Sequence, residues 1–292
     1  DRVLFPDQGI TKQQLADYYL AMAELILPHV ADRPLPALRC PEGIAGECFF
    51  QKHLMRGMHE AVKPMKVRGS EGVSDYLSID DPAGLVALAQ FGVIELHPWG
   101  CKRGAMELAD RMVFDLDPDE RVAWSDVVRA AREVRERLQA IGLASFLKTT
   151  GGKGLHVVVP LNPAVDWAVV KVFSQAMAAA MAARAPDRFI AKASKAARKG
   201  KIFIDYLRNQ RGATSVAPYS VRARPGASVS MPIPWSALSD KLRPDQFTMA
   251  DALRKRADPW KDFFATRQTI DREVVARLTG DGGPKNPEEQ IG

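Results

Sequence analysis

The chain has 292 residues, 46% of them apolar and 26% charged, and a net charge of +6. These proportions exclude collagen-like, coiled-coil and wholly disordered chains, and the length suffices for a sizeable core without staples. No run of 18 uncharged apolar residues occurs, because Lys171, Ser174 and Gln175 interrupt the most apolar stretch, so no membrane span or membrane partner is expected.

The predicted elements follow in chain order. Residues 11–28 space Leu15, Tyr18, Tyr19, Met22, Leu25 and Ile26 as one helix, with Thr11 as N-cap and Pro28 as stop. Short strands are expected at 37–40, 47–53 and 93–97, with a helix over 81–91 before the last. A strand over 112–116 precedes an amphipathic helix capped by Ser125 and closed by Gly142. Residues 144–149 and 155–160 read as a hairpin, 166–184 as a long apolar helix, 201–206 and 215–222 as strands, and 248–256 as a late basic helix. Strands and helices mixed in this way, without internal repeats, indicate an α+β fold.

Three cysteines, Cys40, Cys48 and Cys101, are an odd number without a CxxC, so no disulfide framework is expected and a reducing cytoplasm is. Cys40, Cys48, His53 and His59 lack the spacing of a zinc site. The chain begins at Asp1 and ends in the polar TGDGGPKNPEEQIG, which reads as a piece of a longer polypeptide with 279–292 as a flexible linker.

Charge is unevenly placed. Residues 188–224 hold ten Lys/Arg and one acid, Asp205, whereas 1–187 carry a net −3 and 225–292 are balanced. Such a block suits a polyanion, a nucleic acid or a nucleotide phosphate, although a solvated basic face has the same composition.

Five motifs carry possible chemistry. On the strand MVFDLDP, Met112, Phe114 and Leu116 face one way and Asp115 and Asp117 the other. Adjacent carboxylates repel unless a cation lies between them, and hard divalent cations favour oxygen ligands. The pattern also fits a solvated strand end, a haloacid-dehalogenase-type phosphatase or a metal-dependent sugar transferase. In IFIDY, Asp205 lies within an apolar strand, where it needs a cation or a basic partner. With Asp115 and Asp117 it makes a set able to hold two metals for in-line phosphoryl displacement. The loop KTTGGKGLH lets backbone approach a ligand, while Thr150, Lys153 and His156 offer donors to phosphate; it lacks Walker A spacing, and a plain glycine hairpin is the simpler alternative. Arg222 and Arg224, sharing a face if 215–222 continues as a strand, suit an anion or a surface pair. In CFFQKH, exposed Phe49 or Phe50 beside Lys52 suits a stacked base and a phosphate, unless the aromatics are core.

Together the segments VFDLDP, TTGGKGLHVVVPL and IFIDYLRN, in this order, resemble the polymerase domain of bacterial ligase D, of the archaeo-eukaryotic primase superfamily. DQGITKQQLADYYL and RCPEGIAGECFFQKH are similar to that family's N-terminal region, and the likeness extends to about Arg267. One departure is Thr150, where the family more often has serine. The resemblance implies a template-directed nucleotidyltransferase of non-homologous end joining that fills gaps and extends DNA ends with NTPs or dNTPs, favouring ribonucleotides. It implies an RRM-like antiparallel catalytic sheet with flanking helices, about 106–278, packed as one domain with a smaller N-terminal α/β portion, about 1–105. It implies two divalent metal ions, manganese preferred and magnesium allowed, on Asp115, Asp117 and Asp205. His156, Thr150, Lys153, Arg222 and Arg224 would bind the triphosphate, and His97 would lie near the incoming sugar. Lys12 and Lys52 would meet a downstream 5′-phosphate, Phe49 would stack on the template, and Arg198 would reach phosphates. Gapped DNA, ligase and nuclease domains of the same polypeptide, a Ku-type end-binding protein and a cytoplasmic, nucleoid-associated location complete what it implies. Two alternatives stand beside it: a phosphohydrolase using Asp115 as nucleophile, and an inactive primase-like module that only recruits DNA ends.

Overall fold

The computed structural model describes residues 1–270 apart from Glu71, Lys195, Arg256 and Ala257, and also Glu273 and Val275. The linker expected at 279–292 lies outside these residues.

β1 (Val3–Phe5) and β2 (Ile10–Thr11) pair antiparallel and lead into α1 (Lys12–Ala21). Thr11 caps α1: its hydroxyl accepts from the Gln14 N–H, while the Gln14 side chain accepts from the Thr11 N–H. The one helix expected over 11–28 is two, broken at Met22, and Pro28 lies inside α2 (Ala23–Val30) instead of ending it. A proline deletes one backbone bond, and burial of Ile26, His29 and Val30 carries the helix past that loss.

β3 (Ala37–Arg39) pairs with β4 (Phe49–Gln51), β5 (Lys63–Gly69) and β6 (Gly72–Ser78) form a separate hairpin, α3 (Pro82–Gln90) starts on its Asp81 cap, and β7 (Val93–Leu96) returns beside β3. The hairpin escapes sequence reasoning because only Met65 and Val67 of β5 are buried among its charged residues. Arg39 lies opposite Phe49, which sets Cys40 against Cys48, and these two form a disulfide with Cα atoms 4.3 Å apart. That corrects the expectation of unbridged cysteines: an odd count does not exclude one pair that an antiparallel register brings face to face. Cys101 is a buried free thiol.

The main sheet follows. β8 (Leu108–Pro118) precedes α4 (Trp124–Ala140); then come β9 (Phe146–Thr149), β10 (Leu155–Asp166), α5 (Trp167–Arg184), β11 (Phe189–Ile190), β12 (Ile202–Asp205), β13 (Pro232–Ile233) and α6 (Met249–Arg254). The strand order is β11-β12-β8-β10-β9-β13. The β11–β12 pair is parallel and the other pairings are antiparallel, so the α+β sheet is mixed, not wholly antiparallel. α4 and α5 pack on β8 and β10. Ser125 is not the cap of α4. The helix begins two residues earlier, at Trp124 after Ala123, and Asp126 in the first turn complements the dipole and pairs with Arg129. Nor does a strand form over 215–222. Pro218 has no N–H to give and Tyr219 sits at φ +64°, so the run bends and leaves a single bridge, Val221 to Val229.

Several buried polar contacts tie the N-terminal elements to one another, to the loop at Tyr219 and to this sheet. Tyr18 donates its hydroxyl to the Tyr219 carbonyl at 2.7 Å, and Tyr19 to the Ile94 carbonyl at 2.6 Å. Arg33, fully buried after α2, grips Asp110 of β8 through both terminal guanidinium nitrogens, Nη1 to Oδ1 at 3.0 Å, and Arg111 holds the same carboxylate at 3.0 Å. Burial opposes the Asp110 charge, but Arg111 and Arg33 keep it ionised well below the usual range. Removing one member of a buried pair strands the other. Asp110→Asn is expected to lower unfolding free energy by about 3–5 kcal/mol, read from urea denaturation.

Candidate active site

Register decides which side chains meet. Asp205 of β12 lies opposite Asp115 of β8, Asp115 opposite His156 of β10, and His156 opposite Lys148 of β9. One row of four ionisable side chains thus crosses four neighbouring strands on one face of the sheet. Asp117, two residues beyond Asp115, shares that face. The next row is apolar: Val113, Val158 and Phe146 pack with Trp260 and Phe263 of the C-terminal segment. The opposite face, with Met112, Phe114 and Leu116, belongs to the main core.

Each carboxylate has a cationic or imidazole neighbour. Asp115 lies 3.4 Å from His156 Nε2 and 3.4 Å from Arg208 Nε, and Arg208 Nε lies 3.1 Å from Asp205. Asp117 accepts from Arg198 Nη1 at 3.1 Å, and that guanidinium sits 3.8 Å above the Phe203 ring. Burial works against the Asp115 charge, yet His156 and Arg208 hold it at about 2. Asp117 and Asp205 shift upward, through burial first and with the Asp115 charge adding to it. Burial and the nearby Lys148 push His156 down to about 4, so it is uncharged at neutral pH. Lys148 donates to Ser230 Oγ at 2.7 Å, and burial with Arg222 nearby pushes its own pKa well down.

The glycine loop is a tight fit. A Cβ on Gly154 would lie 2.1 Å from the Leu116 carbonyl oxygen, and one on Gly151, at φ +65°, would lie 2.7 Å from Arg222 Cγ. Thr150 shapes the loop from within: its Oγ1 accepts from the Gly152 and Gly154 N–H groups at 3.2 Å each and donates to the Gly154 carbonyl at 3.1 Å. Arg222 Nη1 donates to the Thr150 carbonyl, and Arg222 Nε lies 3.0 Å from Glu95 Oε2.

A cleft of about 200 Å³ gathers His97, Asp115, Asp117, Thr150, Lys153, His156, Arg222 and Arg224. Arg222 and Arg224 reach it from a loop, not from one strand face. Asp205 joins through its pairing with Asp115, and Arg198 through Asp117. Lys12, Phe49 and Lys52 do not line the cleft. Lys12 opens α1, while Phe49 and Phe50 of β4 are 38% and 51% exposed, so they are not core. The Phe50 ring stands edge-on to His97, 5.0 Å between centroids.

Sequence reasoning missed Arg208, Glu95 and Lys148. Arg208 was legible as the basic residue one short turn beyond Asp205. Glu95 and Lys148 were legible only as polar residues inside the apolar strands VIEL and FLKT.

Among the described residues, no three carboxylate, histidine or cysteine side chains close on one point. The donor set still fits hard divalent cations: three carboxylates at neighbouring strand positions, two with raised pKa values where like charges crowd. Divalent ions there would take over the neutralising role of Arg198 and Arg208.

The sequence matches the family described as LigD, primase-polymerase domain, over residues 11–263. It is 39% identical over 95% of its length to the multifunctional non-homologous end joining protein LigD of Pseudomonas aeruginosa, and 33% identical over 96% to that of Mycolicibacterium smegmatis. It covers 34% and 36% of those proteins, so it spans about a third of their length. The polymerase domain of Mycobacterium tuberculosis ligase D, solved in complex with DNA, superposes with a TM-score of 0.84 at 32% identity, covering 91% of this chain and 96% of that one. Fold and site define a nucleotidyltransferase domain of the primase–polymerase class. The chain belongs to the LigD primase–polymerase family.

The low pKa of His156 has a consequence for stability. The folded state resists protonation down to about pH 4, whereas the unfolded chain takes up the proton near 6.5. The resulting stability is complete above pH 6.5 and fades as pH falls toward 4, by roughly 3 kcal/mol in all. Urea unfolding of metal-free protein between pH 7 and 4 is expected to show this slope, and His156→Gln to flatten it.

Proposed function

We propose that this domain is a template-directed nucleotidyltransferase that fills gaps and extends DNA ends with NTPs or dNTPs in non-homologous end joining. The observation that carries this reading is the row of Asp205, Asp115 and His156 across adjacent strands, beside a glycine loop and two arginines. Asp115, Asp117 and Asp205 would hold two divalent ions, manganese in preference to magnesium. When bound, these ions neutralise the carboxylates and the triphosphate and make the attacking hydroxyl more acidic.

The chain's own part is position and charge. A primer 3′-hydroxyl attacks the α-phosphate and pyrophosphate leaves. Lys153, Arg222 and Arg224 hold the triphosphate at the mouth of the loop, with Thr150 keeping the loop in shape. His156, uncharged, offers one ring nitrogen without becoming a competing cation. Exposed Phe49 stacks on the template, Lys52 and Lys12 meet the 5′-phosphate across the gap, and Arg198 moves from Asp117 to phosphate. His97 faces the incoming sugar.

The N-terminal portion, to about residue 105, and the catalytic portion act as one domain, because a continuous apolar core runs through both. The reading extends to ligase and nuclease domains in the same polypeptide, a Ku-type end-binding partner and a place at the cytoplasmic nucleoid, and the likeness to LigD proteins about three times as long supports the first of these. No helix among the described residues is long and apolar enough to cross a membrane.

The decisive experiment extends a primer across a gapped duplex bearing a downstream 5′-phosphate, with manganese and each NTP or dNTP in turn. Template-matched addition is expected, lost at least 100-fold in Asp115→Ala, Asp117→Ala or Asp205→Ala, and lost on chelation. DNA binding and melting temperature should hold in those variants. Normal extension by any of them would remove that carboxylate from the metal set. DNA binding without any addition would favour the recruiting module instead. Binding to phosphorylated and unphosphorylated gaps with equal affinity would remove Lys12 and Lys52 from the 5′-phosphate.

A further inference from the structure

Glu95 is the acidic residue of β7, whose four residues are all buried, and is itself 3% exposed. A charge in that position requires donors or a cation around it. Two hydrogen bonds and one ion pair supply them: His97 Nε2 at 2.8 Å on Oε2, the Ala223 N–H at 2.8 Å on Oε1, and the Arg222 guanidinium with Nε 3.0 Å from Oε2. Burial opposes the charge, yet these neighbours hold Glu95 ionised at about 2.

This arrangement dictates the chemistry of His97. An ionised carboxylate only accepts, so the imidazole nitrogen facing it carries the hydrogen. Burial lowers the His97 pKa, so the ring is neutral near pH 7 and its other nitrogen, Nδ1, is bare. Among the described residues the ring makes no hydrogen bond except through Nε2. It lines the cleft beside Arg222. A bare lone pair repels phosphate oxygens and accepts from hydroxyl or amino groups. Arg222, Arg224 and Lys153 are the partners for phosphates, so the acceptor beside them fits the group bonded to the phosphates, the sugar.

We propose that Glu95 is a positioning residue that fixes His97 as a hydrogen-bond acceptor for a ribose hydroxyl, and so sets the preference for ribonucleotides over deoxynucleotides. This rests on the nucleotide-binding reading of the cleft. Glu95→Gln tests it with almost no change of volume. The amide has one accepting atom for donors on two sides, so its NH₂ must face either Ala223 or the His97–Arg222 pair. His97→Phe keeps the aromatic contact with Phe50 and removes the acceptor.

Binding of ATP, 2′-deoxyATP and 3′-deoxyATP would be measured by calorimetry with manganese, and melting temperatures would report folding. One lost hydrogen bond corresponds to about tenfold. Wild type should bind ATP about tenfold tighter than at least one deoxy analogue. Both variants should lose that margin while binding the discriminated analogue within about threefold of wild type. The double variant should lose no further discrimination. Equal loss for ATP and both analogues would show a merely structural role and overturn the proposal, as would a margin unchanged in Glu95→Gln. If Glu95→Gln fails to fold, the margin in His97→Phe decides alone. Gap extension is read separately: ribose-selective binding without incorporation would sink the polymerase reading and leave Glu95 in place, while incorporation without sugar discrimination would do the reverse.

Discussion

Three carboxylates cannot share one partly buried strip of sheet without cations among them. That constraint organises the molecule. β8 is the strand where it acts, because it pairs with β12 on one side and β10 on the other and so brings Asp205 and His156 to flank Asp115. Arg208 bridges two of the carboxylates and Arg198 takes the third. Replacing those arginines by metal ions changes what neutralises the strip without changing the strip itself.

The rest of the sheet encloses that row, which is itself largely buried and meets solvent only through the cleft. Directly below the charged row, Val113 and Val158 are sealed by Trp260 and Phe263, with Phe146 packed against them, and the Trp260 indole donates to the Leu147 carbonyl of β9. The far face is covered by α4 and α5. The charged row is thus a narrow band between an apolar floor and a cleft. Burial raises Asp117 and Asp205 and lowers His156 for this reason.

The cleft has two walls of different origin. One is the glycine loop between β9 and β10, where Gly154 passes so close to β8 that no side chain fits. The other is assembled by the N-terminal elements. β7 supplies Glu95 and leads to His97, and the Tyr19 hydroxyl braces β7 through the Ile94 carbonyl. Arg33 anchors the same region to Asp110 of β8. Of the basic block at 188–224, Arg198 and Arg208 pair with the three carboxylates, and Arg222 and Arg224 line the same cleft.

The sequence alone made the active strands legible. Alternation in MVFDLDP and IFIDY puts carboxylates on one face and apolar residues on the other, since a strand's geometry is local and repeats every two residues. The apolar stripe of α4 was readable for the same reason, and α3 and α5 were readable as apolar runs of helical length. What depended on partners distant in the chain was not. Cys40 and Cys48 meet only because β3 and β4 pair in one register. Residues 215–222 look like a strand until Pro218 and the positive φ of Tyr219 turn them into the loop that delivers Arg222. Glu95 reads as an ordinary polar residue until folding buries it and His97, Arg222 and Ala223 gather around it. Side-chain spacing along a strand is written in the chain. Which strands lie side by side, and which buried charge each cation must answer, is decided only by tertiary packing, because desolvation and pairing act between residues far apart in sequence.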